Sequence, residues 1–259
     1  MNILEKIVLR KKEEIVERKA LISLDLMKDD AYYHRSVNSL VNSLQKENSS
    51  GIIAEFKRKS PSKGVINDKV DPVTVTSAYQ EAGAAAVSIL TDTDFFGGSS
   101  EDLIRARAEL KIPILRKEFI IDAYQIHEAK HMGADIILLI AACLSPSQVN
   151  DLSAEAKSIG LEVLLELHDE DELDHICETI DLVGINNRSL KTFDVDIERS
   201  LRMATGIPDS KPKIAESGID HPEQVAMFKK NGYQGFLIGE NFMKHTDPGN
   251  ALREFISKI

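Results

Sequence analysis

Eight short apolar runs, each followed by a stretch of different periodicity, constrain this chain more than any other feature. The runs are IIAEFK (52–57), AAVSILT (85–91), IPILRKEF (112–119), ADIILLIAA (134–142), EVLLELH (162–168), LVGINN (182–187), KIAES (213–217) and GFLIGE (235–240). They are almost continuously apolar rather than alternating, as parallel strands covered on both faces are. Between them lie helix-period segments such as DPVTVTSAYQEAG, DAYQIHEAKHMG, SPSQVNDLSAEAKSIG and HPEQVAMFKKNG. Several open on Asp-Pro, Ser-Pro or His-Pro and all close on Gly, with Pro in the first turn and Gly just past the last. Strand then helix, eight times over, predicts an α/β chain folded as a (β/α)8 TIM barrel. A doubly wound open sheet is the rival. It would need a Gly-rich fingerprint after the first strand, and KRKSPSKG is not one.

A length of 259 residues, 42% of them hydrophobic, suits one such barrel with a sizeable core. The expected organisation is a single domain over 1–259, of which 1–48 is an N-terminal helical extension. Ile3, Leu4, Ile7, Val8, Ile15 and Val16 recur at helical spacing there, in one helix or two, and KENSS turns the chain into the first strand. The net charge of −10 argues against a general nucleic-acid surface or an anionic membrane surface, while leaving room for a local basic pocket. The N-terminus lacks the apolar core of a signal peptide, and no run is long enough to span a bilayer, so a cytoplasmic protein is expected. Cys143 and Cys177 have neither metal-ligand spacing nor the number for a disulfide framework, and Cys143 reads as a small core residue. The sequence is compatible with a monomer or a weak homodimer.

Catalytic groups of such barrels collect at the C-terminal ends of the strands. Strand one ends with Glu55 and Lys57, two apart and so on one face. Strand three ends with Lys117 and Glu118, strand five carries Glu166, strand six offers Asn186 and Arg188, and strand seven ends with Glu216, Ser217 and Gly218. A lone charged residue at a strand end is ordinarily solvated. Charges at the same end of five strands form a pattern that random surface charge would instead scatter over the outer faces of helices. Gly218 and Gly239 fall in loops seven and eight, where barrels hold phosphate, and Ser60 adds a hydroxyl from loop one. Glu240 follows Gly239. Lys59 and Lys63 read as solvent charges. Three uses remain open on these residues alone: acid–base catalysis, a Schiff-base lysine at position 57 or 117, and a non-catalytic phosphosugar site.

The stretches IIAEFKRKSPSKG, VSILTDTDFFGGS, PILRKEFIID, LEVLLELHDEDEL, VGINNRSLKTFDVD, IAESGI and LIGENFM, in this order from about residue 48 to the end, resemble the indole-3-glycerol phosphate synthase family of tryptophan biosynthesis. The long N-terminal segment is similar to that family's extra helices. The resemblance implies a lyase that closes, decarboxylates and dehydrates 1-(2-carboxyphenylamino)-1-deoxyribulose 5-phosphate, with no cofactor and no metal. It implies Lys117 as the acid at the ketone, Glu166 as a base in dehydration, and Lys57 as a second acid and partner of the substrate carboxylate. Arg188 and Asn186 would hold the carboxylate and sugar hydroxyls, and Glu55 and Glu216 would orient lysines and hydroxyls. Phe96 and Phe119 would embrace the aryl ring. Ser60, Gly218, Gly239 and Glu240 would take the phosphate, with Ser217 beside them. Glu240 departs from relatives with Ser there, so its side chain is expected to turn away and leave only its N–H. No fused isomerase domain, which some relatives carry, is expected.

Overall fold

The computed structural model describes residues 2–189 and 194–259. All eight apolar runs form strands: β1 (Ile52–Phe56), β2 (Ala86–Leu90), β3 (Ile114–Lys117), β4 (Ile136–Ile140), β5 (Glu162–Leu167), β6 (Leu182–Asn186), β7 (Lys213–Glu216) and β8 (Tyr233–Ile238). Each pairs in parallel with its sequence neighbours, and β8 closes on β1 to complete the barrel. An eight-stranded barrel leaves an interior that side chains can fill. Ile53, Leu115, Leu138, Leu164, Leu182 and Ile214 belong to that filling. Alternate residues such as Ile52, Ile89, Leu139 and Val163 face the surrounding helices. Both faces are therefore buried, which is why the strands read as unbroken apolar runs.

The surrounding helices follow the sequence punctuation. Three precede the barrel: α1 (Ile3–Leu21), α2 (Leu24–Lys28) and α3 (Leu40–Gln45). Among the described residues eight follow in turn: α4 (Pro72–Glu81), α5 (Ser100–Glu109), α6 (Ala123–His131), α7 (Pro146–Ser158), α8 (Ile197–Met203), α9 (Pro222–Lys230), α10 (Glu240–Met243) and α11 (Pro248–Ile256). Asp71, Asp122 and Ser145 cap α4, α6 and α7 by accepting backbone N–H groups. Gly83, Gly133, Gly160 and Gly232 end α4, α6, α7 and α9 at positive φ, the left-handed turn that glycine adopts without Cβ strain. One crossover departs from the strand–helix rule. After β5 the chain makes only a 3-10 turn over Glu170–His175. DEDELD crowds five acidic groups within six residues, and like charges three and four apart disfavour an α-helix.

The apolar-periodic stretch at the start of the chain forms two helices, α1 and α2, within the one or two expected; α3 follows them, and the segment reaches both ends of the barrel. α3 plugs the N-terminal mouth: Leu40 and Leu44 join the interior layer, and Glu162 accepts from the N–H groups of Leu40 and Val41 and from the Ser39 hydroxyl. α1 lies at the opposite end. Ile7 and Ile15 are buried as expected, but Val16 is 70% exposed, and Lys11 and Glu14 share the buried face. Cys143 is half-buried against the core rather than within it, because it sits in the short turn Ala141–Cys143 beyond β4. Residues 190–193, in the middle of VGINNRSLKTFDVD, lie outside the described residues. Among the described residues no helix is long and apolar enough to cross a membrane.

Candidate active site

Strand register brings the predicted polar residues to one level. Leu90 pairs with Lys117, Ile140 with Glu166, Glu166 with Gly184, Asn186 with Glu216, and Glu216 with Leu237. Above this level opens a cavity of about 580 Å³. Glu55, Lys57, Ser60, Phe96, Lys117, Phe119, Glu166, Asn186, Arg188, Glu216, Ser217, Gly218, Gly239 and Glu240 all line it.

Lys117 is the hub. Its Nζ donates to Glu166 Oε2 at 2.7 Å and to Glu216 Oε2 at 2.9 Å. Asn186 Nδ2 donates to the other Glu166 oxygen at 3.0 Å, and its Oδ1 accepts from the Arg188 backbone N–H. Burial works against the Lys117 charge, but Glu166, Glu216 and Glu55 outweigh it and hold the ammonium protonated beyond the usual lysine range. Burial also opposes ionisation of Glu166, yet Lys117 and His168 more than compensate, keeping its carboxyl well below the ordinary range. Glu216 has the opposite fate. Burial and the Glu166 charge push it up to about 8 despite the pull of Lys117. Two carboxyls on one ammonium thus divide into an ionised carboxylate and a proton holder.

The strand-one pair projects together as its spacing requires, with Lys57 Nζ 2.6 Å from Glu55 Oε1. Glu118, next to Lys117, points the other way, to Lys11 and Thr91, because consecutive strand residues face opposite sides. Phe96 and Phe119 face each other across a wall of the cavity, centroids 5.9 Å apart and planes tilted by 38°.

The loop residues differ from expectation in two places. The Glu240 side chain does not turn away: its carboxylate lies 3.7 Å from Arg188 Nη2 and 3.5 Å from Lys63 Nζ. Two cations at the mouth attract it there; Lys63 is exposed, as a solvent charge is, and borders the cavity from the rim. Gly239 has φ −124°, a value open to any residue, so its φ alone does not require glycine. Its lack of a side chain makes room for Glu55, whose Oε1 would lie 2.5 Å from a Cβ at that position. Ser217 and Gly218 do adopt the left-handed region, φ 67° and 68°. Such a backbone is costly for serine, and Asn187 holds it by donating Nδ2 to Ser217 O at 2.8 Å. Gln224 Nε2 does the same for Gly218 O at 3.1 Å.

Four contributors escaped the sequence reading. Gly184 on β6 leaves the space that Glu216 Oε1 fills; a Cβ there would fall on that oxygen. His168, two residues after Glu166 and therefore on the same face, places Nε2 3.1 Å from Glu166 Oε1. Ile3, Leu4 and Ile7 of α1 form an apolar part of the cavity wall. Lys11 underlies the aromatic pair. Among the described residues no group of three His, Cys, Asp or Glu side chains is placed to hold a metal ion.

A closed parallel barrel with ion-paired lysines and carboxylates at its C-terminal face defines the class: an α/β barrel with a cluster of ionisable groups where enzymes of this fold keep their sites. Solved structures agree on the fold. Tryptophan synthase subunit alpha from Legionella pneumophila superposes with a TM-score of 0.63 at 13% identity, covering 86% of this chain and 97% of that one. A tryptophan synthase structure from Pyrococcus furiosus gives 0.61 at 16% identity, covering 81% and 97%. Sequence relatives are more specific. An indole-3-glycerol phosphate synthase of Bacteroides thetaiotaomicron is 45% identical over 258 residues, 100% of this chain and 99% of that protein. One of Bordetella pertussis is 41% identical over 260 residues, 99% of each. The family description "Indole-3-glycerol phosphate synthase" matches residues 4–255. The chain belongs to the indole-3-glycerol phosphate synthase family, a family of carbon–carbon lyases of tryptophan biosynthesis.

Proposed function

We propose that the chain converts 1-(2-carboxyphenylamino)-1-deoxyribulose 5-phosphate to indole-3-glycerol phosphate, carbon dioxide and water by Lys/Glu acid–base catalysis. The observation that carries this reading is the Lys117 ammonium held between Glu166 and Glu216 in a cavity with an aromatic wall. The aryl carbon bearing the carboxylate attacks the ketone carbon while Lys117 protonates the ketone oxygen. The carbon–carboxylate bond then breaks, and its electron pair restores the aromatic ring. Dehydration follows: Lys57 gives a proton to the departing hydroxyl, and Glu166 takes one from the adjacent ring methylene. Two protons are given and one is recovered, so one is drawn from solvent per turnover, as loss of a carboxylate as carbon dioxide requires. Glu166 is hydrogen-bonded to Lys117, so the base that gains a proton can return it to the acid that lost one.

Arg188 suits the substrate carboxylate because its fork of donors matches two oxygens, and Glu240 holds that fork's charge until substrate displaces it. Asn186 would reach sugar hydroxyls, and Glu55 and Glu216, paired with Lys57 and Lys117, would orient the two lysines. The Ser217–Gly218 backbone, Ser60 and the N–H of Glu240 are the donors offered to phosphate. No cofactor enters this scheme.

The chain contains no Trp, so product indole emission has little protein background. Adding the substrate should produce emission that grows with time and enzyme. A flat signal from folded protein would overturn the reading. Covalent trapping of substrate by borohydride would favour a Schiff-base lysine instead.

A further inference from the structure

Lys11 is 1% exposed, although it sits in the run RKKEE on a surface helix. A buried ammonium persists only when paired. Its Nζ lies 2.8 Å from Asp92 Oδ2, 2.9 Å from Glu14 Oε2 and 3.1 Å from Glu118 Oε1. Glu14 is on the same helix. The other two follow β2 and β3, and each has a second task. Asp92 Oδ1 accepts the N–H groups of Phe95 and Phe96 at 2.8 and 2.9 Å. Glu118 accepts the Phe119 N–H at 2.9 Å and the Thr91 hydroxyl at 2.7 Å, with Arg116 3.8 Å behind it. Lys11 is therefore one carboxylate away from the backbone of each cavity aromatic. One turn earlier on the same helix, Ile7 lies against the cavity, followed by Leu4 and Ile3.

We propose that Lys11 is a positioning residue for the aryl end of the substrate: it fixes the Phe96 and Phe119 loops relative to each other and sets α1 above them. The proposal rests on the aryl substrate argued above. Simple docking of α1 is served elsewhere on the helix. Arg18 pairs with Glu128 of α6 and with Glu14, each at 3.3 Å; it shares Glu14 with Lys11 and lies in the field of Glu118, but it is hydrogen-bonded to neither loop. The loss of Lys11 should therefore act chiefly on substrate binding, whereas the loss of Arg18 should act chiefly on stability.

The test compares Lys11→Met with Arg18→Met in the full chain, by steady-state kinetics and by backbone amide exchange of the 91–99 segment. Lys11→Met should raise KM about tenfold or more with kcat within about threefold, because the acid–base groups stay in place. Exchange at Phe95 and Phe96 should quicken about tenfold as their acceptor loosens. Arg18→Met should lower the melting temperature and change neither readout. Unchanged KM and exchange in folded Lys11→Met would overturn the proposal, as would an Arg18→Met variant that matches it. If Lys11→Met does not fold, Lys11→Met/Asp92→Asn/Glu118→Gln leaves no unpaired carboxylate. A raised KM in that variant supports the role, and a wild-type KM overturns it. Should the wild type itself not turn the substrate over, the functional reading fails, and amide exchange alone decides the role of Lys11.

Discussion

Lys117→Met removes the one charge that Glu166 and Glu216 share, and its cost can be worked out. Both carboxyls are buried, 3% and 1% exposed. Without the ammonium both buried carboxyls are driven toward protonation, Glu166 against the remaining pull of His168, so the cost of full protonation is an upper bound. Holding a glutamic acid protonated at pH 7, against its ordinary value of 4.5, costs about 1.36 × 2.5, or roughly 3.4 kcal/mol. Glu216 already bears most of that in the wild type, since burial pushes it up to about 8. Glu166 does not, because Lys117 keeps it ionised. The new cost is therefore one carboxyl's share, about 3–4 kcal/mol at pH 7. The sign follows from the raised folded value. Relative to the wild type, in which Glu216 already imposes one such slope, the variant loses nothing below about pH 4.5 and about a further 1.4 kcal/mol per pH unit above it until Glu166 ionises. Removing a buried ammonium also lifts its own desolvation penalty, so at pH 5 the variant should be at least nearly as stable as the wild type. Urea unfolding of both proteins at pH 5, 6, 7 and 8 measures this, and turnover should be lost by a factor of about a thousand at every pH. A stability difference that does not change with pH would refute the electrostatic reasoning. Retained turnover would remove Lys117 from the chemistry.

Two further outcomes follow from the same cluster. Gly184→Ala places a methyl where Glu216 Oε1 sits, so it should push that carboxyl off Lys117 and cut kcat about tenfold or more with KM little changed, read by the same emission assay. A variant with normal kcat would mean that the Glu216 contact is dispensable. In the wild type, kcat should fall as pH rises through about 8, because ionised Glu216 adds a second negative charge beside Lys117 and makes it a weaker acid. In Glu216→Gln that fall should vanish between pH 7 and 9, and its persistence would assign the titration to another group.

The charged cluster at the barrel mouth was legible because a barrel strand announces its end. IIAEF is core, and the charge that follows in Glu55 and Lys57 has nowhere to go but the open face. Spacing alone put those two together, and the same rule of two could have found His168 from Glu166. It could also have removed Glu118, which neighbours Lys117 and so must face away. What stayed hidden was space rather than charge. Gly184 and Gly239 matter for the carboxylates that fill the volume they leave empty, Glu216 from the adjoining strand and Glu55 from across the β8–β1 seam, and such neighbours are fixed only when the barrel closes in register. Lys11 was hidden for a related reason. Within RKKEE it is one cation among several, and helical periodicity gives charged residues no reason to be inside. Its burial depends on two acceptors more than eighty residues away meeting at one point. Residue type therefore located the chemistry, while the closed barrel determined which carboxyl is free to ionise. Glu166 and Glu216 are the same side chain on neighbouring walls, and only their different surroundings hold one ionised and push the other toward its protonated form.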